Sequence, residues 1–171
     1  MRNIEIKARL VDFSAALCVA ARLATADLGT LIQRDTYFRC LTGRLKLREI
    51  NSDQAQLIQH QRSNEANPRP SDYTVLELIA AEPLKSMLSS TLSILTVVEK
   101  TRRLFIYEGV RIHLDQVKEL GDFLELEAVL TDNLDESTAQ HRIQWLLEQF
   151  GITQSDYCQF SYSDMISNST G

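Results

Sequence analysis

Three short segments carry charged side chains on alternate residues, although they lie far apart in the sequence. They cover residues 3–7, 44–48 and 125–127. Because side chains of a β-strand point alternately to opposite faces, each segment predicts a strand with one polar and one apolar face. The second segment presents only cations on its polar face, and the third presents only carboxylates. Carboxylates at this spacing can bind a hard cation such as Mg²⁺ or Mn²⁺, and clustered Arg and Lys side chains can bind phosphate oxygens. Together the segments predict a site for a metal-bound polyphosphate.

Two further segments extend this pattern of charge. Residues 100–102 place two cations on one face, and residues 111–115 place a cation and a carboxylate on one face, with His113 between them. A single alternating strand is typical of a solvated sheet face, but a solvated sheet does not require five strands with unmixed or paired charges. His113 is interpreted as a packing residue rather than a metal ligand, because His60 and His141 are not at a ligand spacing from it.

The composition is that of an ordinary globular protein. The 171 residues are 44% hydrophobic and 24% charged, which predicts a single domain over residues 1–171. The net charge of −5 argues against general binding to nucleic acid or to a membrane surface. The N-terminal residues lack the apolar core of a secretory signal, and no apolar run approaches the length of a membrane span. Three cysteines without a Cys-x-x-Cys pair fit a reducing cytoplasm.

The strand and helix patterns predict an α+β fold built on a large antiparallel sheet. Strands are predicted over residues 2–10, 30–41, 44–50, 54–62, 73–78, 94–101, 103–108, 110–117 and 122–130. Helices are predicted over residues 13–27, 82–92 and 135–150, with a short helical piece at 156–166 and a frayed end at 167–171. The charged faces cannot all point to solvent if helices must cover the apolar faces. A barrel of about eight strands, with a polar interior and helices packed outside, satisfies both requirements.

At this point the sequence resembles the CYTH superfamily, also called triphosphate tunnel metalloenzymes. That group includes class IV adenylyl cyclases, thiamine triphosphatases and inorganic triphosphatases, and the resemblance is strongest to the class IV cyclase-like and thiamine triphosphatase-like branch. The family's N-terminal signature is Glu-x-Glu-x-Lys, and residues 3–7, Asn-Ile-Glu-Ile-Lys, match its last two charged positions. The likeness continues in the family's order through residues 33–38, 43–49, 71–73, 100–102, 111–117, 120–127 and 161–164.

The resemblance implies a closed eight-stranded antiparallel tunnel and assigns roles to its charged residues. It implies catalytic roles for Glu5, Lys7 and Arg48. It implies that the triphosphate is bound by Lys7, Arg44, Lys46, Arg48, Arg62, Lys100, Arg102 and Arg111. It implies that divalent metal, Mg²⁺ or Mn²⁺, is bound by Glu5, Asp115, Glu125 and Glu127. The chain departs from the family at Asn3, where the first glutamate of the signature is absent, and this removes one negative charge from the metal site.

The function that these features favour is a metal-dependent enzyme acting on a triphosphate, with hydrolysis as the leading reaction. If water attacks the γ-phosphorus the enzyme is a phosphohydrolase, and if the ribose 3′-hydroxyl of ATP attacks the α-phosphorus it is a cyclase. The tunnel charges serve both reactions, and Asn3 keeps a non-catalytic nucleotide- or polyphosphate-binding module as a further alternative. The expected partner is inorganic triphosphate, thiamine triphosphate or ATP, not nucleic acid or a membrane. A homodimer is left open.

Overall fold

Eight antiparallel strands close into one barrel in the computed structural model, which describes residues 2–61 and 69–169. The strands are β1 (Arg2–Arg9), β2 (Ala26–Phe38), β3 (Arg44–Ile50), β4 (Gln54–Gln61), β5 (Arg69–Leu78), β6 (Ile94–Tyr107), β7 (Val110–Val117) and β8 (Gly121–Val129). Their order around the barrel is β1-β5-β4-β3-β2-β6-β7-β8. The predicted α+β class and the closed eight-stranded antiparallel barrel are therefore confirmed.

Some predicted element boundaries were wrong. The predicted strands 94–101 and 103–108 form the single strand β6, which pairs with β2 and β7. The predicted helix 13–27 ends at Leu23, because the backbone of Ala24 is already extended and Thr25 donates its N–H to the carbonyl of Ile106 at 2.7 Å. Gly29 lies inside β2, at a positive φ, where the pairing with β6 shifts its register.

The helices are α1 (Phe13–Leu23), α2 (Glu82–Leu92), α3 (Glu136–Gln149) and α4 (Tyr162–Ser169). Asp12 and Asp135 start α1 and α3 as N-caps, each accepting a backbone N–H of the first turn. Both helices pack against the outer apolar face of the barrel, where the small side chains of Ala16 and Ala20 are buried. The predicted piece 156–166 is instead a 3₁₀ turn at Gln154–Asp156 followed by α4, which extends to Ser169.

A two-residue turn fixes how β6 and β7 pair. Glu108 and Gly109 both have positive φ angles, of 45° and 85°, as a type I′ hairpin turn requires. The turn sets Tyr107 opposite Val110, and counting back along the two strands puts Arg102 directly opposite Asp115. The local turn chemistry therefore determines which charges meet inside the barrel.

The inner face of the barrel is charged along most of its length and apolar at one end. Inward-facing residues of four strands meet the first residue of α4 there, and all are buried. They are Tyr37, Val98, Val117, Phe123 and Tyr162. The rings of Phe123 and Tyr162 pack edge to face, with their centroids 5.0 Å apart. Among the described residues, no helix is long and apolar enough to cross a membrane.

Candidate functional site

The barrel encloses a cavity of about 330 Å³ whose wall carries most of the residues predicted for the site. Six cations from the described part of the chain line it, together with four glutamates. The cations are Lys7, Lys46, Arg48, Lys100, Arg102 and Arg111. The glutamates are Glu5, Glu77, Glu125 and Glu127. Strands that are distant in sequence thus bring their charged faces together on one interior volume.

Two arginines of the cavity wall are each held by a carboxylate of the neighbouring strand. Arg48 donates Nε and Nη2 to the two carboxylate oxygens of Asp35 on β2, both at 2.7 Å. Arg102 donates the same two nitrogens to Asp115 on β7, both at 2.6 Å. Asp35 and Asp115 are almost completely buried, whereas both arginines line the cavity. A guanidinium has five N–H donors, so three of each remain for a ligand.

Two lysines and a tyrosine complete this cationic part of the wall. Lys46 contacts Asp35 with its Nζ at 3.1 Å. The Nζ of Lys100 lies 3.6 Å from the Oδ2 of Asp115, which also accepts the hydroxyl of Tyr162 at 2.9 Å. The strands that supply these cations, β3 and β6, both flank β2. A phosphate chain lying across β2 would therefore meet cations on both sides.

Burial and charge shift the pKa values of this cluster in different directions. Burial alone would raise the pKa of Asp35, but Arg48 and Lys46 hold it well below its ordinary value. Burial would likewise raise the pKa of Asp115, and Arg102 and Lys100 lower it instead. Burial, with Arg102 beside it, lowers the pKa of Lys100 to about 7. The two aspartates therefore stay ionised at neutral pH, whereas Lys100 is close to its titration point.

The carboxylates of β8 lie on the opposite part of the wall and are paired with cations. Glu125 pairs with Lys7 and lies 3.7 Å from Arg102. Glu127 accepts a hydrogen bond from the Nδ2 of Asn3 and lies 3.2 Å from the Nη1 of Arg111. Burial would raise the pKa of Glu125, but Lys7 and Arg102 hold it well below its ordinary value.

The oxygen donors between β1 and β8 fit a hard divalent cation by their chemistry. Glu5 and Glu127 are directly opposite each other, and the buried Oδ1 of Asn3 accepts no hydrogen bond from the described residues. Carboxylate and amide oxygens are the ligands that Mg²⁺ and Mn²⁺ prefer. Within residues 2–61 and 69–169, however, no three His, Cys, Asp or Glu side chains are grouped as a metal site. A divalent cation here would compete with Lys7 and Arg111 for the carboxylates of Glu125 and Glu127.

The structure does not bring every predicted residue to the cavity. Arg44 lies outside the cavity lining and pairs with Asp164 of α4 at 2.8 Å. Asp115, predicted as a metal ligand, lies behind the wall, where Arg102 engages both of its oxygens. Arg62 lies outside the described residues. His113 is buried beside Glu125, and its imidazole has a pKa lowered by burial and by Arg102, as suits a neutral packing residue.

The sequence patterns gave no specific role to several residues that shape the site. Asp35 holds Arg48 from behind the wall, and Tyr162, which lines the cavity, donates its hydroxyl to Asp115. Asp35 is directly opposite Arg48 because the connection between β2 and β3 spans residues 39–43, whereas a two-residue turn at 42–43 would have set residue 37 opposite Arg48. The wall formed by β4 and β5 was also missed, since its described inward residues include no Lys or Arg and Glu77 is their single carboxylate. They are Gln56, Ile58, His60, Ser71, Tyr73, Val75 and Glu77.

Solved structures share this fold at low sequence identity. The PH1012 protein from Pyrococcus horikoshii OT3 is 21% identical, with a TM-score of 0.84 over 95% of this chain and 98% of that chain. A putative adenylate cyclase from Vibrio parahaemolyticus is 22% identical, with a TM-score of 0.78 over 96% and 97%. The putative adenylyl cyclase HpAC1 from Hippeastrum, described as having a dominant triphosphatase activity, is 18% identical, with a TM-score of 0.64 over 98% and 96%.

At these identities the structural likeness shows the fold alone. A comparison with curated proteins found no match. A family model described as the CYTH domain matches residues 1–162, and the chain therefore belongs to the CYTH family.

Proposed function

We propose that this protein is a divalent-metal-dependent enzyme that hydrolyses a triphosphate bound inside the barrel. The observation that carries the proposal is the pair of cavity-facing arginines, Arg48 and Arg102, each fixed by a buried aspartate on the next strand. Such an arrangement holds donors in place before a ligand arrives. Preorganised donors stabilise charge on a transferring phosphoryl group without reorganising during the reaction. An arginine needed only for folding would not have to face a cavity.

The chain's own residues would bind and orient the phosphates. Arg48 and Arg102 would donate to phosphate oxygens from the two sides of β2, and Lys46 and Lys100 lie beside them. Bound phosphate would favour the protonated form of Lys100, whose pKa burial lowers to about 7. A divalent metal on the carboxylates would supply further stabilisation of negative charge as the bond to the leaving phosphate breaks.

The carboxylates that suit the metal are those of β1 and β8. Glu5, Glu125 and Glu127 line the same cavity as the arginines, and the free oxygen of Asn3 lies beside them. Asp115 was also predicted as a metal ligand, but it lies behind the wall, where its oxygens accept hydrogen bonds from Arg102 and Tyr162.

Adenylyl cyclisation is the second candidate reaction. The observation that favours it is the neutral wall on β4 and β5, which gives an organic group room beside the cations. The names of two solved relatives point to the same pair of reactions, since both are called putative cyclases and one is credited with triphosphatase activity. A non-catalytic binder remains the third candidate, because Asn3 weakens the charge of the metal site.

A substrate screen separates these candidates. Inorganic triphosphate, thiamine triphosphate and nucleoside triphosphates are incubated with Mg²⁺, Mn²⁺ or chelator, and both released phosphate and cyclic nucleotide are measured. We expect metal-dependent phosphate release that Arg102→Ala abolishes. The control is Arg103→Ala, the next residue of β6, whose side chain pairs with Asp27 on the outer surface at 2.7 Å. Binding of triphosphate without any product would leave the binding module ahead of both enzymes.

Location and assembly stay predictions from the sequence. We expect a cytoplasmic protein, since Cys18, Cys40 and Cys158 are all free thiols. The homodimer is tested by the molecular mass in solution.

A further inference from the structure

The residues that begin α4 place an aromatic ring inside the barrel. The backbone N–H of Ser161 donates to the Oδ2 of Asp164 at 3.0 Å, and the backbone N–H of Asp164 donates to the hydroxyl of Ser161 at 3.2 Å. This reciprocal pair of hydrogen bonds is the arrangement of a capping box, which satisfies two donors at the start of a helix. Tyr162 is the first residue of α4, so the capping box fixes the backbone that carries its side chain.

Arg44 anchors this helix start to the barrel. Its Nη2 donates to the Oδ2 of Asp164 at 2.8 Å, and the same oxygen accepts the backbone N–H of Ser161. Arg44 lies on β3, two residues before Lys46 of the cavity wall. The arginine that was predicted to bind phosphate therefore joins β3 to the residues that position Tyr162.

The ring of Tyr162 lies against two lysines of the cavity wall. The Nζ of Lys7 on β1 is 3.6 Å from the ring centroid, and the Nζ of Lys100 on β6 is 5.0 Å from it. An ammonium group within about 6 Å of an aromatic centroid is attracted by the negative charge of the ring face. All three residues are more than nine-tenths buried, and this attraction is stronger where the groups are desolvated.

An aromatic ring and a carboxylate hold an ammonium group in different ways. Glu125 pairs with Lys7, and Asp115 lies 3.6 Å from Lys100, so each carboxylate neutralises the lysine beside it. The ring carries no net charge, so an ammonium group that it attracts keeps its own charge for a phosphate. The hydroxyl of Tyr162 also donates to the Oδ2 of Asp115, which is the oxygen beside Lys100, and therefore competes with that lysine for it.

We propose that Tyr162 is a positioning residue, whose ring holds the ammonium groups of Lys7 and Lys100 in the cavity so that both donate to one bound triphosphate. The inference rests on the proposed function, since it takes a triphosphate as the ligand. It also gives Arg44 and Asp164 a role, which is to hold the ring in place. Without the ring, each lysine is held by its carboxylate alone, and the ligand has to draw both ammonium groups into place.

The test removes the hydroxyl and the ring separately. Dissociation constants for inorganic triphosphate are measured by calorimetry in chelator for the wild type, Tyr162→Phe and Tyr162→Leu, after circular dichroism has shown that each protein is folded. Tyr162→Phe keeps an aromatic face for both lysines and should bind within about twofold of the wild type. Tyr162→Leu should bind about tenfold more weakly, because the ligand must then order two rotamer-rich side chains itself.

The matched control is Ile166→Ala, at a residue of α4 outside the cavity lining. Ile166 packs against the apolar cluster that contains Tyr162, so its truncation loosens α4 but keeps the ring. This variant should bind triphosphate as the wild type does. An equal loss in Ile166→Ala and Tyr162→Leu would overturn the positioning role, because support of the fold would then explain both. A Tyr162→Phe variant as weak as Tyr162→Leu would also overturn it, because the hydroxyl would then carry the effect.

A second measurement needs no stable variant of Tyr162. Ring currents shift the methylene protons beside an ammonium group upfield when that group lies over an aromatic face. In the wild type with isotopically labelled lysine, we expect such shifted signals from Lys7 and Lys100, assigned with Lys7→Met and Lys100→Met, and we expect triphosphate to move them. Unshifted signals from both lysines would overturn the inference and leave the proposed function intact. If the wild type binds no triphosphate, in chelator or with Mg²⁺, the proposed function fails and the inference fails with it.

Discussion

Replacing Asp115 by Asn tests whether this carboxylate is the counter-ion of the cationic wall or a metal ligand. Asp115 is fully buried, and its two oxygens accept from Arg102 at 2.6 Å. One of them also accepts from Tyr162 at 2.9 Å and lies 3.6 Å from Lys100. The amide of Asn has nearly the same shape but no charge. It would leave Arg102 buried with Glu125, 3.7 Å away, as its nearest carboxylate partner among the described residues.

The size of the effect follows from this burial. Breaking a buried ion pair by neutralising one partner costs about 3–5 kcal/mol of unfolding free energy, because the remaining charge stays desolvated. Lys100 can escape part of this cost by losing its proton, since burial lowers its pKa to about 7, but Arg102 cannot. We therefore expect a loss of about 4 kcal/mol. For a urea dependence of about 2 kcal/mol/M, the midpoint of unfolding should fall by about 2 M.

The assay is urea unfolding followed by circular dichroism, with a chelator present so that metal cannot contribute. The control is Asp27→Asn, which breaks the ion pair of Asp27 with Arg103 on the outside of the barrel, at 2.7 Å. That pair is exposed and screened, so its loss should change stability little. Equal midpoints for the two variants would refute the counter-ion role. A metal ligand would instead show near-normal stability in chelator and weaker Mn²⁺ binding.

Three other outcomes follow from the site. Arg48→Ala should weaken triphosphate binding about tenfold or more by calorimetry, because charge-assisted hydrogen bonds are worth about 1.5–3 kcal/mol. The control Arg34→Ala, at an exposed arginine, should leave the affinity unchanged. Equal affinities of the two variants for triphosphate would contradict the assignment of Arg48 to the phosphate site. Glu127→Gln should abolish metal-dependent turnover, and Asn3→Glu should tighten metal binding. Both effects are measured as activity against Mg²⁺ and Mn²⁺ concentration. Full turnover of Glu127→Gln in chelator would refute the role of Glu127 as a metal ligand. Triphosphate binding at pH 8 should be accompanied by proton uptake. Lys100, whose pKa is lowered to about 7, is mostly neutral at pH 8 until a bound anion raises its pKa. Calorimetry in buffers of different ionisation enthalpy measures the uptake, and Lys100→Met should remove it.

The charged interior could be predicted from the sequence because strand periodicity is local. Alternation at residues 3–7, 44–48 and 125–127 fixes which side chains share a face, and unmixed charge on those faces argues against simple solvation. The alternation of side chains does not determine how far each inward side chain lies from the cavity surface. Asp35 and Asp115 share faces with cavity residues, yet they lie behind the arginines, each of which engages both oxygens of one aspartate.

The limits of helices and strands were harder to predict, because tertiary contacts decide them. The apolar pattern of α1 reaches Ala24, but Thr25 joins the sheet through Ile106, a partner that the local sequence does not reveal. The prediction of two separate strands on either side of residue 102 was wrong for the same reason, because the local sequence does not reveal the strands that pair with this segment. One long strand, β6, forms because β2 and β7 pair with it on both edges.

The carboxylates of the barrel form two groups, which differ in whether a ligand in the cavity would have to displace their cationic partners. Asp35 and Asp115 lie behind the wall, each held at both oxygens by one arginine, so a ligand in the cavity need not displace them. Glu125 and Glu127 line the cavity, where they neutralise Lys7 and Arg111. A metal that draws these glutamates away would free two cations for phosphate, and a phosphate that draws the cations away would free two carboxylates for metal. Each ligand should therefore raise the affinity for the other by the same factor, as linkage requires.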